Sequence, residues 1–232
     1  MQDGTPGGSE TALLVAARDA DDSRTRDLAR ALKQTSALLH EVDHRVKNNL
    51  QLITSLLQLQ ARRSLDPAVR KALTGAQDRV SAVATVHRRL FRGEDVDRFD
   101  VAAFVEDLVA DVIGGSGRRD VRTRLSLEPV DLPAARATPL ALLINELLVN
   151  AIHHAFPDGR AGLITVAVRR EGDGFAVEIA DNGVGSGTPA AAPGFGGTIV
   201  SLLCGQLGAR CETTDAQPGV RTVIRFPASG LS

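Results

Sequence analysis

His44 lies in the run Glu41-Val42-Asp43-His44-Arg45-Val46-Lys47-Asn48-Asn49-Leu50-Gln51. The run sets one imidazole among acids, cations and amides, the groups that acid–base chemistry uses. Val42, Val46, Leu50, Ile53 and Leu57 recur every three or four residues, which predicts an amphipathic helix. His44 is two residues from both Val42 and Val46, about 200° round such a helix from each, so it faces away from the apolar stripe. It shares the outer face with Glu41, Lys47, Asn48 and Gln51, at spacings of three and four. A solvated helix face alone would give this pattern. A second group of polar residues downstream argues for more.

That group begins with Asn145-Glu146-Leu147-Leu148-Val149-Asn150-Ala151-Ile152-His153-His154. Leu140, Leu142, Leu143, Ile144, Leu147, Leu148 and Ile152 mark the helix as buried, yet Glu146, Asn150, His153 and His154 form a polar stripe along it. Buried polar groups must be satisfied, and a stripe of them can line a ligand. The amide oxygen of Asn150 is a hard, neutral donor suited to Mg²⁺ carrying nucleotide phosphates. Next, Asp181-Asn182-Gly183-Val184-Gly185 follows an alternating strand. A carboxylate fixed at a strand end can accept from an amino group such as that of adenine. Gly183 and Gly185 let backbone come close to a ring. Finally, Gly194-Phe195-Gly196-Gly197-Thr198 opens a helix, where Gly194, Gly196 and Gly197 offer backbone N–H groups to phosphate. Taken singly, these are a polar helix seam, a common turn and a glycine-rich loop. Together they describe a nucleotide site.

Other elements must hold these residues in place. Residues 1–21 read as a frayed or weakly helical arm. From about Asp22 the pattern is helical, through Leu28, Leu32, Leu38 and Leu39 into the His44 stripe and on to about Arg63. Forty such residues would span about 60 Å and need a partner surface. Ser64-Leu65-Asp66-Pro67 is a turn, with Asp66 as N-cap and Pro67 at the first helical position. The next helix repeats in sevens through Val69, Leu73, Ala76, Val80, Val83, His87 and Leu90, a bundle seam in which His87 is a packed imidazole. One hairpin leaves Leu56, Leu59 and Ala72 uncovered, so a second copy is expected to complete a dimeric four-helix bundle. The hairpin domain is placed at 22–95, with the boundary near 92–99, and the second domain at 96–232. That domain is expected to carry helices over Val101–Ile113, Thr138–His154 and Thr198–Leu207. Gly114-Gly115-Ser116-Gly117 is read as a loop. Strands are expected over Val121–Leu127, Leu163–Arg169, Phe175–Ala180, Arg210–Thr214 and Val220–Phe226. Irregular alternation with antiparallel hairpins favours an α+β layer over a doubly wound sheet.

The chain has 232 residues and a net charge of −1, and no basic run stands out. Bulk electrostatics gives no case for a nucleic-acid or membrane-surface partner. No apolar run is read as a membrane span and the N-terminus carries no signal-peptide pattern, which places the protein in the cytoplasm. Cys204 and Cys211, the only cysteines, read as core filler in a reducing compartment.

At these motifs a resemblance is plain, running from about Leu38 to Pro227. His44-Arg45-Val46-Lys47-Asn48-Asn49 resembles the phospho-acceptor box of two-component sensor histidine kinases of the HWE-like subgroup. The resemblance implies that His44 is autophosphorylated, with Glu41, Asp43, Asn48 and Glu146 in the catalytic set. Relatives often carry a second histidine where this chain has Asp43. The segment around Asn150 is similar to the N-box of the GHKL ATP-binding fold, whose asparagine holds Mg²⁺. His153 stands where members commonly carry Lys or Arg. Asp181 matches the G1 aspartate that recognises adenine. Gly194 to Gly197 resembles the G2 box, with Phe195 and Gly197 in place of its two leucines. Thr222, in the closing strand, joins His153, His154 and the glycines in the implied cofactor-binding set. The implied architecture is a helical hairpin in a dimeric four-helix bundle followed by a two-layer α+β sandwich of the GHKL ATPase type. The implied activity uses ATP and Mg²⁺ and passes phosphate from His44 to an aspartate of a response-regulator receiver domain. Two other functions stay open: a histidine phosphotransferase with a degenerate ATP site, and a non-catalytic switch protein of the same ATP-binding superfamily.

Overall fold

The structure is a computed structural model that describes residues 30–31, 33–34, 37–38, 41–42, 44–90, 98–185 and 195–227. The expected arm over 1–21, Asp43, Gly194 and the stretch 186–194 lie outside the described residues. The chain divides into two compact units, 1–48 and 49–232. In the first, the described residues are helical and mostly exposed, Val46 being half-buried.

The helical residues 44–63 (α1) end at the expected turn. The Asp66 carboxylate accepts from the Ala68 backbone N–H at 2.8 Å, so the N-cap forms as read. Helix α2 then spans Pro67–Leu90. Its heptad predicts a single apolar seam, but the helix uses a second face. Val69, in the seam, is 45% exposed, whereas Val86, outside it, is 1% exposed. Ala82, Thr85 and Val86 are buried in the core of the second unit. A helix apolar on two adjacent faces gives a heptad that marks one and conceals the other. Polar contacts fix this face to the helix Val101–Ser116 (α3): the Thr85 hydroxyl and the Arg88 guanidinium both donate to one Asp111 carboxylate oxygen at 2.8 Å. Arg89 pairs with Asp107. The expected boundary near 92–99 falls largely on residues 91–97, outside those described. By its contacts the chain divides at 48/49, with α2 in the same unit as the sheet.

Asp100 caps α3, accepting from Ala103 N–H at 3.0 Å. The helix runs past the expected end at Ile113 to Ser116, and Gly117 closes it in the left-handed conformation. Glycine in a last turn costs roughly 1 kcal/mol but does not forbid helix, so Gly114 and Gly115 stay in it. Strands Arg98–Asp100 (β1) and Asp131–Pro133 (β3) pair antiparallel; at three residues each they are too short to show alternation in sequence.

The main sheet has five strands: Val121–Leu127 (β2), Gly162–Glu171 (β4), Gly174–Asp181 (β5), Arg210–Asp215 (β6) and Val220–Phe226 (β7). Their order is β2-β4-β5-β7-β6, with β2 parallel to β4 and the other pairs antiparallel. Helices Ala137–His154 (α4) and Phe195–Leu207 (α5) complete the α layer, giving the expected α+β sandwich. Leu140, Leu143, Ile144 and Leu148 of α4 pack with Ile164, Val166, Val168 and Val177 of the sheet in one core. The segment Ala134–His154 has the length and mean hydropathy of a membrane span, contrary to the sequence expectation. Here it is the core helix, with those four side chains inaccessible. Helix α5 begins three residues earlier than expected, placing Gly196 and Gly197 inside its first turn.

Cys204 and Cys211 are joined by a disulfide, which corrects their reading as separate core thiols. Cys204 is in the last turns of α5 and Cys211 in β6, and the intervening turn folds them to a Cα separation of 6.5 Å. Sequence spacing alone carries no trace of that reversal.

The second face of α2 is testable. We expect Val86→Ala to destabilise the protein by about 2 kcal/mol in denaturant unfolding, as buried large-to-small changes do. Val69→Ala on the same helix should stay within about 0.5 kcal/mol.

Candidate nucleotide site

A cavity of about 350 Å³ opens between α4, α5 and the sheet. Asn150 and His154 reach it from α4, Asp181 from the end of β5, Gly185 from the following loop, Gly197 from α5, and Thr222 from β7. These six were singled out from sequence, and the fold brings them together from four separated segments. Leu147, Ala151, Ile179 and Val200 supply an apolar wall.

Asp181 is 8% exposed, and one of its carboxylate oxygens accepts from Gly183 N–H at 2.9 Å and from Val220 N–H at 3.3 Å. Two backbone bonds on one oxygen fix the carboxylate and leave the other oxygen to accept from a ligand. The backbone crowds this corner. A Cβ on Gly219 would lie 1.8 Å from the Asp181 carbonyl oxygen, and one on Gly183 would lie 2.3 Å from that of Ala155. Gly183 therefore serves a different contact from the one expected. It lets the loop close on the end of α4, where Val184 N–H donates to Ala155 C=O at 3.0 Å, and is not a surface for a ring.

At the other end of the cavity, a Cβ on Gly196 would lie 3.6 Å from both Asn150 amide atoms and 3.7 Å from Glu146 Oε2. Glu146, 6% exposed, takes a two-pronged bond from Arg79 of α2: Nε to Oε1 at 2.6 Å and Nη2 to Oε2 at 3.0 Å. His154, partly enclosed, has its pKa lowered by burial first and by Lys71 and His153 next, which favours the neutral ring. Thr222 pairs its hydroxyl with that of Thr213 at 3.0 Å.

Not every expected residue is in the cavity. His153 faces a second one of about 290 Å³, enclosed by α2, α3 and α4 and lined also by Asp78, Thr85, Asp111 and Asn145. Consecutive helical residues diverge by about 100°, so the two histidines cannot line one site. Asn145 is 2% exposed and its amide nitrogen has no hydrogen-bond partner. In the first unit, His44 and Asn48 are exposed, and Glu41 is paired with Arg45 at 2.5 Å instead of with His44. Arg45 is one helical turn on and charged, which makes it the stronger competitor.

Sequence reasoning missed Thr213, Arg79 and Arg118. Thr213 alternates into the cavity across from Thr222, a register that only the β6–β7 pairing defines. Arg118 is held by Asp120 at 2.6 Å and donates to the carbonyls of Ile152 at 3.4 Å, Phe156 at 3.0 Å and Arg160 at 3.4 Å. It thereby ties the last turn of α4, which carries Asn150 and His154 into the site, to the segment that follows it.

The residues present suit a Mg²⁺-bound nucleotide: an amide beside a helix start for the metal and phosphates, an apolar wall, and a fixed carboxylate for a base amino group. Fold and site together define a GHKL-type ATPase domain following a helical hairpin. Comparison with known proteins agrees. The profile of the family described as "Histidine kinase" matches residues 41–115, and that of "Histidine kinase-like ATPase domain" matches 117–202. The sensor histidine kinase PdtaS of Mycobacterium tuberculosis is 36% identical over 77% of this chain and 35% of its own length. A blue-light-activated histidine kinase of Rhizobium johnstonii is 32% identical over 83% of this chain and 54% of its own. The solved histidine kinase domain of the Erythrobacter litoralis blue-light activated histidine kinase superposes with a TM-score of 0.61 at 26% identity, covering 82% of this chain and 91% of that one. This chain belongs to the histidine kinase family. It spans about a third of the length of the mycobacterial relatives it matches.

Asp78, in the second cavity, allows a test of site electrostatics. Burial raises its pKa above the ordinary 3.8; Glu146 adds to this, while His153 and Arg79 oppose it. A raised folded-state value means that the protonated form is favoured by folding. The associated stability is full below 3.8 and is lost as pH rises through the folded value. Asp78→Asn should therefore unfold at higher denaturant than wild type at pH 7, with the gap closing as pH falls toward 4.

Proposed function

We propose that this chain is the catalytic core of a histidine kinase that transfers the γ-phosphoryl group of ATP to His44. From there the group would pass to an aspartate of a response-regulator receiver domain. The observation that carries this reading is the convergence of Asn150, Asp181, Gly185, Gly197 and Thr222 on one cavity, in a chain whose histidine kinase match includes His44. When bound, Mg²⁺·ATP supplies the transferable phosphoryl group. The chain's own residues position and neutralise, which is most of the catalysis in such transfers. Asn150 holds the metal, the start of α5 offers N–H groups to the phosphates, and Asp181 accepts from the adenine amino group. His44 is exposed, with Asn48 one turn away on the same helix. Asp43 or Glu41 orients the ring and takes its proton, Glu41 only once it leaves Arg45.

Incubation with γ-labelled ATP tests the reading. Wild type should acquire acid-labile, base-stable label, and His44→Ala should lose it while still binding ATP. Asn150→Ala should lose Mg²⁺-dependent binding. Asp181→Asn should weaken binding about five- to a hundredfold, the equivalent of about 1–3 kcal/mol for a missing buried hydrogen bond. A wild type that binds no ATP at millimolar concentration would replace the kinase with a phosphotransferase whose nucleotide site has decayed.

The kinase is further proposed to act as a homodimer in the cytoplasm. Leu52, Ile53, Leu56, Leu59 and Val69 are exposed on the hairpin, Leu56 at 50%. Two such hairpins would cover these side chains, at about 25 cal/mol per Å² of apolar surface. Leu56→Glu should convert dimer to monomer in light scattering with ATP binding retained, and a monomeric wild type at micromolar concentration would remove the bundle.

A further inference from the structure

The Arg79–Glu146 pair joins residues 67 apart in sequence and from different elements. Glu146 is nearly inaccessible, and a carboxylate so enclosed requires a cation and satisfied oxygens. Arg79 meets both needs, with two roughly parallel N–H bonds at 2.6 and 3.0 Å. Tight helix packing would be enough to explain an ion pair at any point along α2 and α4. This one sits where Glu146 and Asn150 converge on Gly196, at the first turn of α5 and at the edge of the nucleotide cavity.

Resting on the kinase reading above, we propose that Arg79 is a positioning residue for phosphoryl transfer. It neutralises Glu146 and fixes its carboxylate beside Asn150, so that a residue of the hairpin completes the phosphate end of the nucleotide site. Without the guanidinium, Glu146 would present an uncompensated negative charge next to the phosphates, or draw a cation away from them. It would also be free to swing toward the amide that holds the metal. Arg79 belongs to α2, the helix seated on α4 through Ala82 and Val86. The state of the phosphate end therefore depends on how α2 is seated, and an event that moves α2 reaches the nucleotide site through this bond pair.

Arg79→Ala, Arg79→Lys, Glu146→Gln and the double variant Arg79→Ala/Glu146→Gln decide the matter in the full chain. Circular dichroism fixes a temperature at which each is folded. Two quantities are then measured: Mg²⁺-dependent binding of a fluorescent ATP analogue, and the rate and ATP dependence of His44 labelling. Arg79→Ala should lower the saturated labelling rate at least tenfold and weaken analogue binding more with Mg²⁺ than without. The double variant should regain much of that binding, because the stranded charge is gone. Arg79→Lys, which keeps the charge but not the paired bonds, should fall between wild type and Arg79→Ala and serves if Arg79→Ala does not fold. Methylguanidine in the tens of millimolar should raise the Arg79→Ala rate. A folded Arg79→Ala (or Arg79→Lys, where Arg79→Ala does not fold) that labels and binds within twofold of wild type would reduce the pair to helix packing. So would equal losses with and without Mg²⁺. If wild type binds the analogue but does not label, the kinase reading fails, and the Mg²⁺-dependent binding series still decides the role of Arg79.

Discussion

Helix α4 must satisfy two opposed demands at once. Leu140, Leu143, Ile144 and Leu148 are fully enclosed and hold the sheet, α3 and α5 in one core, while Glu146, Asn150 and His154 are polar and lie on the same helix. A helix cannot bury a polar stripe against apolar neighbours without leaving groups unsatisfied. The fold resolves this by opening a cavity along the stripe and by pairing Glu146, at the edge of that cavity, with Arg79. The pocket is thus a direct consequence of the polar positions on a helix that is otherwise core.

Several features serve that helix before they serve any ligand. Arg118 ties its last turn to the segment that follows, the loop after β5 closes on Ala155 through Gly183, and Arg79 compensates Glu146. Asp181 is held by two backbone N–H groups, one from its own loop and one from the start of β7. A rigid acceptor is worth more to recognition than a mobile one, because its ordering cost is met in folding and not in binding. The site is accordingly built on elements whose positions are set by the core.

The seating of α2 alters the picture of a hairpin that merely carries a phospho-acceptor. Its Ala82–Val86 face is part of the core of the ATPase-like unit, and its polar residues reach Asp111, Asp107 and Glu146. On the heptad face, Val69 is exposed. The chain's contacts divide at 48/49 and not between hairpin and sheet.

The sequence by itself determined which residues could do chemistry and most of the elements that carry them. His44 on a polar helix face, the Asn150 stripe on an apolar helix, Asp181 at a strand end and glycines opening a helix are all local patterns, and periodicity is a local property. The five long strands and the Asp66 cap were legible for the same reason. Tertiary structure alone decided what depends on residues distant in sequence. His153 points away from His154's cavity because α4 rotates it toward α2. Thr213 enters the site by strand register, and Cys204 meets Cys211 across a reversal of chain. The second face of α2 and the Arg79–Glu146 bond were illegible because a charge or an alanine in a helix gives no sign of its partner until packing supplies one.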